Sequence, residues 1–158
     1  GGVHIDKASE SGDPTVYKLP HPAVAGSEFD FSFSGLKTNV INLLHNSEQK
    51  GTEINRNDLA ASLQKTISEI LTDKTIRAAE ALGYKKVALA GGVSANTGVR
   101  AALSEACAKR GFEFYMPEKK LCGDNGAMIA CQGSYNLLAG ITEDESLNAI
   151  ATLSMEDI

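Results

Sequence analysis

Apolar residues recur at two spacings along this chain, and the switches between them divide it into elements. From Asp58 to Leu82 the residues Leu59, Leu63, Ile67, Ile70, Leu71, Ala78 and Leu82 repeat at three and four, which gathers them on one face of a long helix. Asn57 is its expected N-cap and Gly83 its stop. Leu36, Val40, Leu43 and Leu44 predict a shorter helix over Leu36 to His45, after a break at Ser34-Gly35. Ahead of that break, Thr15 to Leu19 is β-rich and stopped by Pro20 and Pro22, and Phe29 to Phe33 alternates apolar with polar, so both predict strands. Lys86 to Ala90 predicts a short buried strand, Asn96 to Arg110 a helix ended by Gly111, and Phe112 to Met116 another strand. After a loop from Pro117 to Cys122, Asp124 to Leu138 reads as a helix of small apolar residues suited to packing on a sheet, with Gly140 ending it. Ile141 to Ile158 is acidic and reads as a final helix or a tail. Strands alternating with helices, without repeats, predict an α/β domain with a mixed sheet and flanking helices.

Size fits one such domain, since 158 residues at 42% hydrophobic can bury one ordinary core. No run reaches the roughly 18 apolar residues of a membrane span, and the start lacks the layout of a secretory signal, so the expectation is a soluble, cytoplasmic protein. Cys107, Cys122 and Cys131 have no paired or zinc-like spacing, which fits reduced thiols. A net charge of −5 argues against a domain that holds nucleic acid by its own charge, so an RNA partner would need help from elsewhere. Gly1-Gly2 leads at once into sequence typical of the middle of a fold, which suggests a truncated chain.

The candidate chemistry sits at three junctions into helices. In Ser34-Gly35-Leu36-Lys37-Thr38 a glycine at a helix start stands beside a lysine and two hydroxyls, suited to an anion because free backbone N–H groups point outward there. It is neither a Walker loop nor a G-x-G-x-x-G turn, and on local grounds an ordinary helix cap is the better account of it. In Ala90-Gly91-Gly92-Val93-Ser94-Ala95-Asn96, two glycines after a buried strand let backbone approach a ligand closely, with Asn96 placed for a ribose or base. The alternative is a tight turn in which Ser94 or Asn96 caps the helix. In Cys122-Gly123-Asp124-Asn125-Gly126-Ala127 a carboxylate begins an apolar helix, where it serves as a cap or as a metal ligand. All three junctions could face one ligand.

Taken together and in order, SFSGLKT, AGGVSAN and CGDNGAM resemble the universal tRNA threonylcarbamoyladenosine transferases, long labelled O-sialoglycoprotein endopeptidases. The opening Gly1-Gly2-Val3-His4-Ile5-Asp6 is similar to that family's Y-P-G-G-x-x-I-D stretch, and Tyr17-Lys18-Leu19-Pro20 to its K-x-P-R-P segment. The resemblance runs to about residue 139. It implies the second, C-terminal lobe of an actin, hexokinase and heat-shock-ATPase-like (ribonuclease-H-like) fold, with residues 1–158 as that lobe and the N-terminal lobe absent. His21 stands where the family has Arg, and Gly123 where it has Thr.

On this resemblance the complete protein moves a threonylcarbamoyl group from threonylcarbamoyl-AMP to the N6 amine of the adenosine beside the anticodon of tRNA, releasing AMP. Gly2, Asp6, Gly91, Gly92 and Asn96 become substrate and nucleotide contacts, with weaker roles for Ser34, Gly35 and Lys37. Asp124 becomes one ligand of a divalent iron or zinc ion, one per complete subunit, whose other ligands are an H-x-x-x-H pair in the absent lobe. His4, His21 and His45 supply no such pair here, and His4, in a loop, and His45 read as surface residues. The partners implied are tRNA, threonylcarbamoyl-adenylate, and paralogous and small accessory proteins of a threonylcarbamoyladenosine complex, with no membrane. The alone-standing chain is expected to be inactive, with weak nucleotide affinity. Two alternatives remain: an ATP-binding phosphotransferase like a sugar or acetate kinase, and a non-catalytic lobe that binds partners. A protease is disfavoured, since no nucleophile has a paired base.

Overall fold

A computed structural model describes residues 2–152, which fall into two compact units, one ending at Gly123 and the other starting at Asp124. Their elements are α1 (Gly2–Ser9), α2 (Ser34–Lys50), α3 (Arg56–Ala81), β1 (Lys86–Ala88), α4 (Thr97–Arg110), β2 (Glu113–Tyr115) and α5 (Gly126–Leu138), with 3-10 turns at Gly92–Ala95 and Lys119–Leu121.

The first unit is organised by α3, whose 26 residues reach about 39 Å at 1.5 Å per residue. Asn55 caps it, accepting from Asn57 N at 2.9 Å and Asp58 N at 3.3 Å, so the cap lies two residues before the predicted Asn57. An Asx side chain bonds backbone two and three residues ahead, and Asn55 has those partners. The buried side of α3 starts with the small run Leu59, Ala60, Ala61 and Ser62 and ends with Ile76 and Ala79. Small residues let α1 and α4 lie close to it. Near its start the chain approaches so closely that a Cβ on Gly12 would land on the Asn57 carbonyl.

Two apolar clusters hang on α3. Near its C-terminal end, Ile76 and Ala79 meet Val87 of β1, Cys107 of α4 and Phe112. Near its middle, Ile70 meets Leu19 and Leu36, with Tyr17, Val40, Leu63 and Ile67 around them. β1, α4 and β2 form a β-α-β unit, in which Val87 pairs with Phe114 in a parallel ladder. Gly111 makes the turn from α4 to β2 at φ +67°, a conformation that costs a side chain with a Cβ.

Three expectations need correction. The sheet is not mixed: among the described residues it has two strands, both parallel. Thr15–Leu19 and Phe29–Phe33 form no strands, because alternation reports which side chains turn inward and says nothing of a partner ladder. Instead they pack along α3 as turns, bends and irregular chain, with Tyr17 N donating to Ser62 Oγ at 3.2 Å, Leu19 buried in the middle cluster, and Phe31 stacked on Phe33 beneath Lys74. Residues 2–9, His4 among them, are helix where a loop was expected.

The second unit holds α5, capped by Asn125, whose side chain accepts from Met128 N at 3.0 Å. None of its residues is buried. Ile129, Tyr135, Leu137, Leu138 and Ile141 are all exposed. Residues 141–152 carry no helix, and the remainder of the predicted final element lies outside the described residues.

Candidate functional site

The second junction is the one around which polar groups gather. Gly91, at φ +84°, turns the chain out of β1, and the 3-10 turn that follows is closed by Ser94 N donating to the Gly91 carbonyl at 2.9 Å. A β-carbon would be strained at Gly91, and the space beside both Gly91 and Gly92 is open. Their backbone is therefore accessible to a ligand.

Asn96 follows as the N-cap of α4, accepting from Val99 N at 2.9 Å. Its amide donates to Asp6 Oδ1 at 3.1 Å and to Gln64 Oε1 at 2.8 Å. The same Asp6 oxygen accepts from Thr97 N at 3.1 Å and from Thr97 Oγ1 at 2.5 Å. Asp6 on α1, Gln64 on α3 and Asn96 with Thr97 on α4 thus form one network at the positive end of α4, where a carboxylate is favoured. The family resemblance brought Asp6 into the candidate set, and the glycine junction brought Asn96; Gln64 and Thr97 escaped it, because each sits on a helix face with no motif of its own. Gly98 explains the fit of Gln64, since a Cβ there would come within 2.8 Å of the Gln64 side chain.

This geometry bears on what Asn96 and Asp6 can do. Both amide hydrogens of Asn96 are already donated and its oxygen already caps a helix, as the cap reading anticipated. All three donors on Asp6 meet Oδ1, which leaves Oδ2 without a protein donor among the described residues. The groups open to a ligand are Oδ2, a lone pair on Asn96 Oδ1 and the Gly91–Gly92 backbone. Gly2 begins α1 with open space beside it.

A second cluster lies on the far side of the same turn. Arg100 donates from Nε to the Ser94 carbonyl and from Nη2 to the Pro117 carbonyl, each at 2.5 Å, and its Nη2 is 3.1 Å from Cys122 Sγ. Ser94 Oγ is wholly buried, with no partner of good hydrogen-bond geometry. Even so, the Ser94 hydroxyl beside it and then the Arg100 guanidinium draw the Cys122 thiol below the ordinary cysteine range, against the effect of burial. Arg100 and Cys122 were not candidates from sequence, since a lone arginine inside a helix pattern carries no signal.

The remaining candidates stand elsewhere. Ser34, Gly35 and Lys37 open α2, whose N-cap Phe33 makes no side-chain cap bond. That helix is anchored through Leu36 in the middle cluster, and among the described residues no hydrogen bond joins it to Asn96 or Asp6. The first two junctions are therefore not parts of one hydrogen-bonded site. Asp124 is exposed and does not cap α5, a role Asn125 takes. Among the described residues no three of His, Cys, Asp and Glu are placed to hold a metal. His21 Nε2 lies 3.1 Å from Glu69 Oε2. No helix of the described residues is long and apolar enough to cross a membrane.

Comparison with known proteins follows the same residues. Residues 1–131 match the family model described as tRNA N6-adenosine threonylcarbamoyltransferase. Curated proteins of that name are 45% identical over 160 residues in Listeria innocua serovar 6a, 46% over 157 in Bacillus cereus and 43% over 155 in Caldicellulosiruptor saccharolyticus. Each alignment covers 98% or more of this chain and 46% of the relative, so the chain spans about half the length of the curated relatives it matches. Among solved structures, the crystal structure of T. kodakarensis HypF superposes with a TM-score of 0.57 over 87% of this chain and 17% of that one. At 18% identity this likeness shows a shared fold.

Proposed function

Because the chain belongs to the tRNA N6-adenosine threonylcarbamoyltransferase family, we propose that the protein containing it transfers threonylcarbamoyl from its adenylate to tRNA, with these residues forming one wall of the nucleotide site. In that reaction the N6 amine bonds to the carbamoyl carbon, the bond from that carbon to the AMP phosphate oxygen breaks, and the amine loses a proton. The observation that carries the reading is the coincidence of the family match with the open Gly91–Gly92 backbone beside the Asp6–Asn96 pair. There the backbone N–H groups can meet phosphate, and Asp6 Oδ2 can accept from a ribose hydroxyl. A preformed network holds these groups still before substrate arrives, which saves ordering them on binding.

The fold reading that goes with it is the second lobe of a two-lobe, actin-like enzyme, the opposite wall coming from the half of the relatives' length not spanned here. In the proposed arrangement Asp124 supplies one ligand to an iron or zinc ion and the remaining ligands come from that other half. Such a metal would supply Lewis acidity for acyl transfer. No residue of this chain is assigned to proton transfer. The tRNA and adenylate are the proposed substrates, accessory proteins the proposed partners, and the cytoplasm, where tRNA is modified, the proposed location. A partner-binding role for the second unit is compatible and is favoured by the exposed apolar residues of α5.

The test is transfer of labelled threonylcarbamoyl to tRNA by the protein expressed from its complete gene. Asn96→Ala and Asp124→Ala are each expected to reduce transfer by about 100-fold or more, the scale seen when a positioning group is lost, while thermal melting reports a folded protein. Full transfer in both variants, or phosphorylation of a small substrate that ignores the adenylate, would overturn the proposal.

A further inference from the structure

We propose that Arg100 is a positioning residue, a brace that fixes the spacing between the glycine turn after β1 and the loop that runs into Asp124. Its place in the helix is the first clue. Arg100 lies in the first turn of α4, where the helix's positive end opposes a cation, so local preference does not account for an arginine there. Its acceptors do.

Those acceptors belong to two separate stretches of chain. Nε donates to the carbonyl of Ser94, in the turn that directly follows Gly91-Gly92. Nη2 donates to the carbonyl of Pro117 and approaches the thiol of Cys122, and these two residues flank the 3-10 turn at Lys119–Leu121. Cys122 Sγ in turn donates to the Glu118 carbonyl at 3.4 Å, which closes the second loop on itself. Neither stretch belongs to a β-ladder, and the two 3-10 turns touch. One half-buried guanidinium therefore ties together two stretches of backbone that no β-ladder joins.

The planar fork matters, because it presents donors in two fixed directions at once. A lysine at this position brings charge and reach but only a point donor on a flexible stem, so it cannot hold both carbonyls in one geometry. The spacing being held is that between a candidate phosphate-binding backbone and the residue two positions before Asp124. The consequence for catalysis rests on the function proposed above; the brace itself does not.

Amide hydrogen exchange of this chain tests the brace directly. In Arg100→Lys the amides of residues 91–96 and 117–122 are expected to exchange together, about tenfold faster than in the unsubstituted chain, the effect of losing a charge-assisted hydrogen bond. The amides of α3 around Ile70 are expected to keep their rates. Unchanged exchange, or acceleration in only one of the two segments, would overturn the proposal. Arg100→Ala is expected to do the same, and if it does not fold the Lys variant alone decides. In the protein expressed from its complete gene, Arg100→Lys is further expected to lower kcat by about 10- to 100-fold with KM for tRNA within about twofold, as misplacement without lost binding requires. An unchanged kcat would remove the catalytic part of the claim. Should the unsubstituted protein transfer nothing, it is the function that fails, and the exchange result still judges the brace.

Discussion

Replacing Asp6 by Ala separates two roles that the same carboxylate can have. In the free chain Asp6 Oδ1 accepts three hydrogen bonds, from Asn96 Nδ2, Thr97 N and Thr97 Oγ1, at the N-terminus of α4. Each hydrogen bond to a charged group contributes about 1.5–3 kcal/mol, and a carboxylate at a helix start adds about 0.3–1 kcal/mol. The site is half-buried, so water replaces part of what is lost and the sum does not add in full. A net loss of about 2–3 kcal/mol is expected, which lowers Tm by roughly 6–15 °C for a unit of this size. Asp6→Asn keeps the shape and loses the charge, so about half of that loss is expected. Calorimetry without nucleotide measures both. A Tm unchanged within a degree for Asp6→Ala would refute the reasoning, and loss of nucleotide-induced stabilisation in that same variant would make Asp6 a pure ligand contact.

Further expectations follow from packing and from the thiols. Gly12→Ala places a Cβ against the Asn57 carbonyl and 2.8 Å from Asp58 N, both backbone atoms that cannot swing aside. A loss of about 1–3 kcal/mol, read as a lower urea midpoint, is expected in spite of alanine's usual entropic advantage. Ile76→Ala empties the centre of the cluster with Val87, Cys107 and Phe112 and is expected to cost about 2–5 kcal/mol by the same measurement. Cys131 is exposed and is expected to alkylate at once, whereas Cys107, wholly buried and with its thiol pushed up by burial, reacts only on unfolding. For Cys122 the pH midpoint of alkylation is expected to fall below that of the same residue in urea, because the Ser94 hydroxyl and Arg100 favour its thiolate. By linkage the thiolate's stabilising contribution grows as pH rises from the folded to the unfolded thiol pKa, is complete above the latter, and is lost as pH falls through the former. Equal midpoints would contradict it.

Helices α2 to α5 were legible because their signals are local, whereas α1 was read as a loop. The 3.6-residue period fixes a face, and Gly83, Gly111 and Gly140 mark ends with a conformation that other residues rarely adopt. Asn96 was found both as a ligand candidate and as a cap, and the cap is what the free chain displays. What failed depended on partners distant in sequence. Phe29–Phe33 has the alternation of a strand without a neighbour to pair with, and Gln64 joins Asn96 across 32 residues on a helix whose pattern advertises only its apolar face. The family motifs were read correctly because they are contiguous strings; Arg100, outside them, is defined by what it reaches.

The long helix α3 carries both apolar clusters, one at its middle and one near its end. Each cluster takes part of its apolar surface from that helix, so losing either removes packing that holds the helix in place. Unfolding of the two clusters is therefore expected to be coupled through α3. A lesion beside Ile76 and a lesion beside Leu36, far apart in sequence, should lower the same single transition, and the strands and turns around them will inherit their rigidity from one continuous rod.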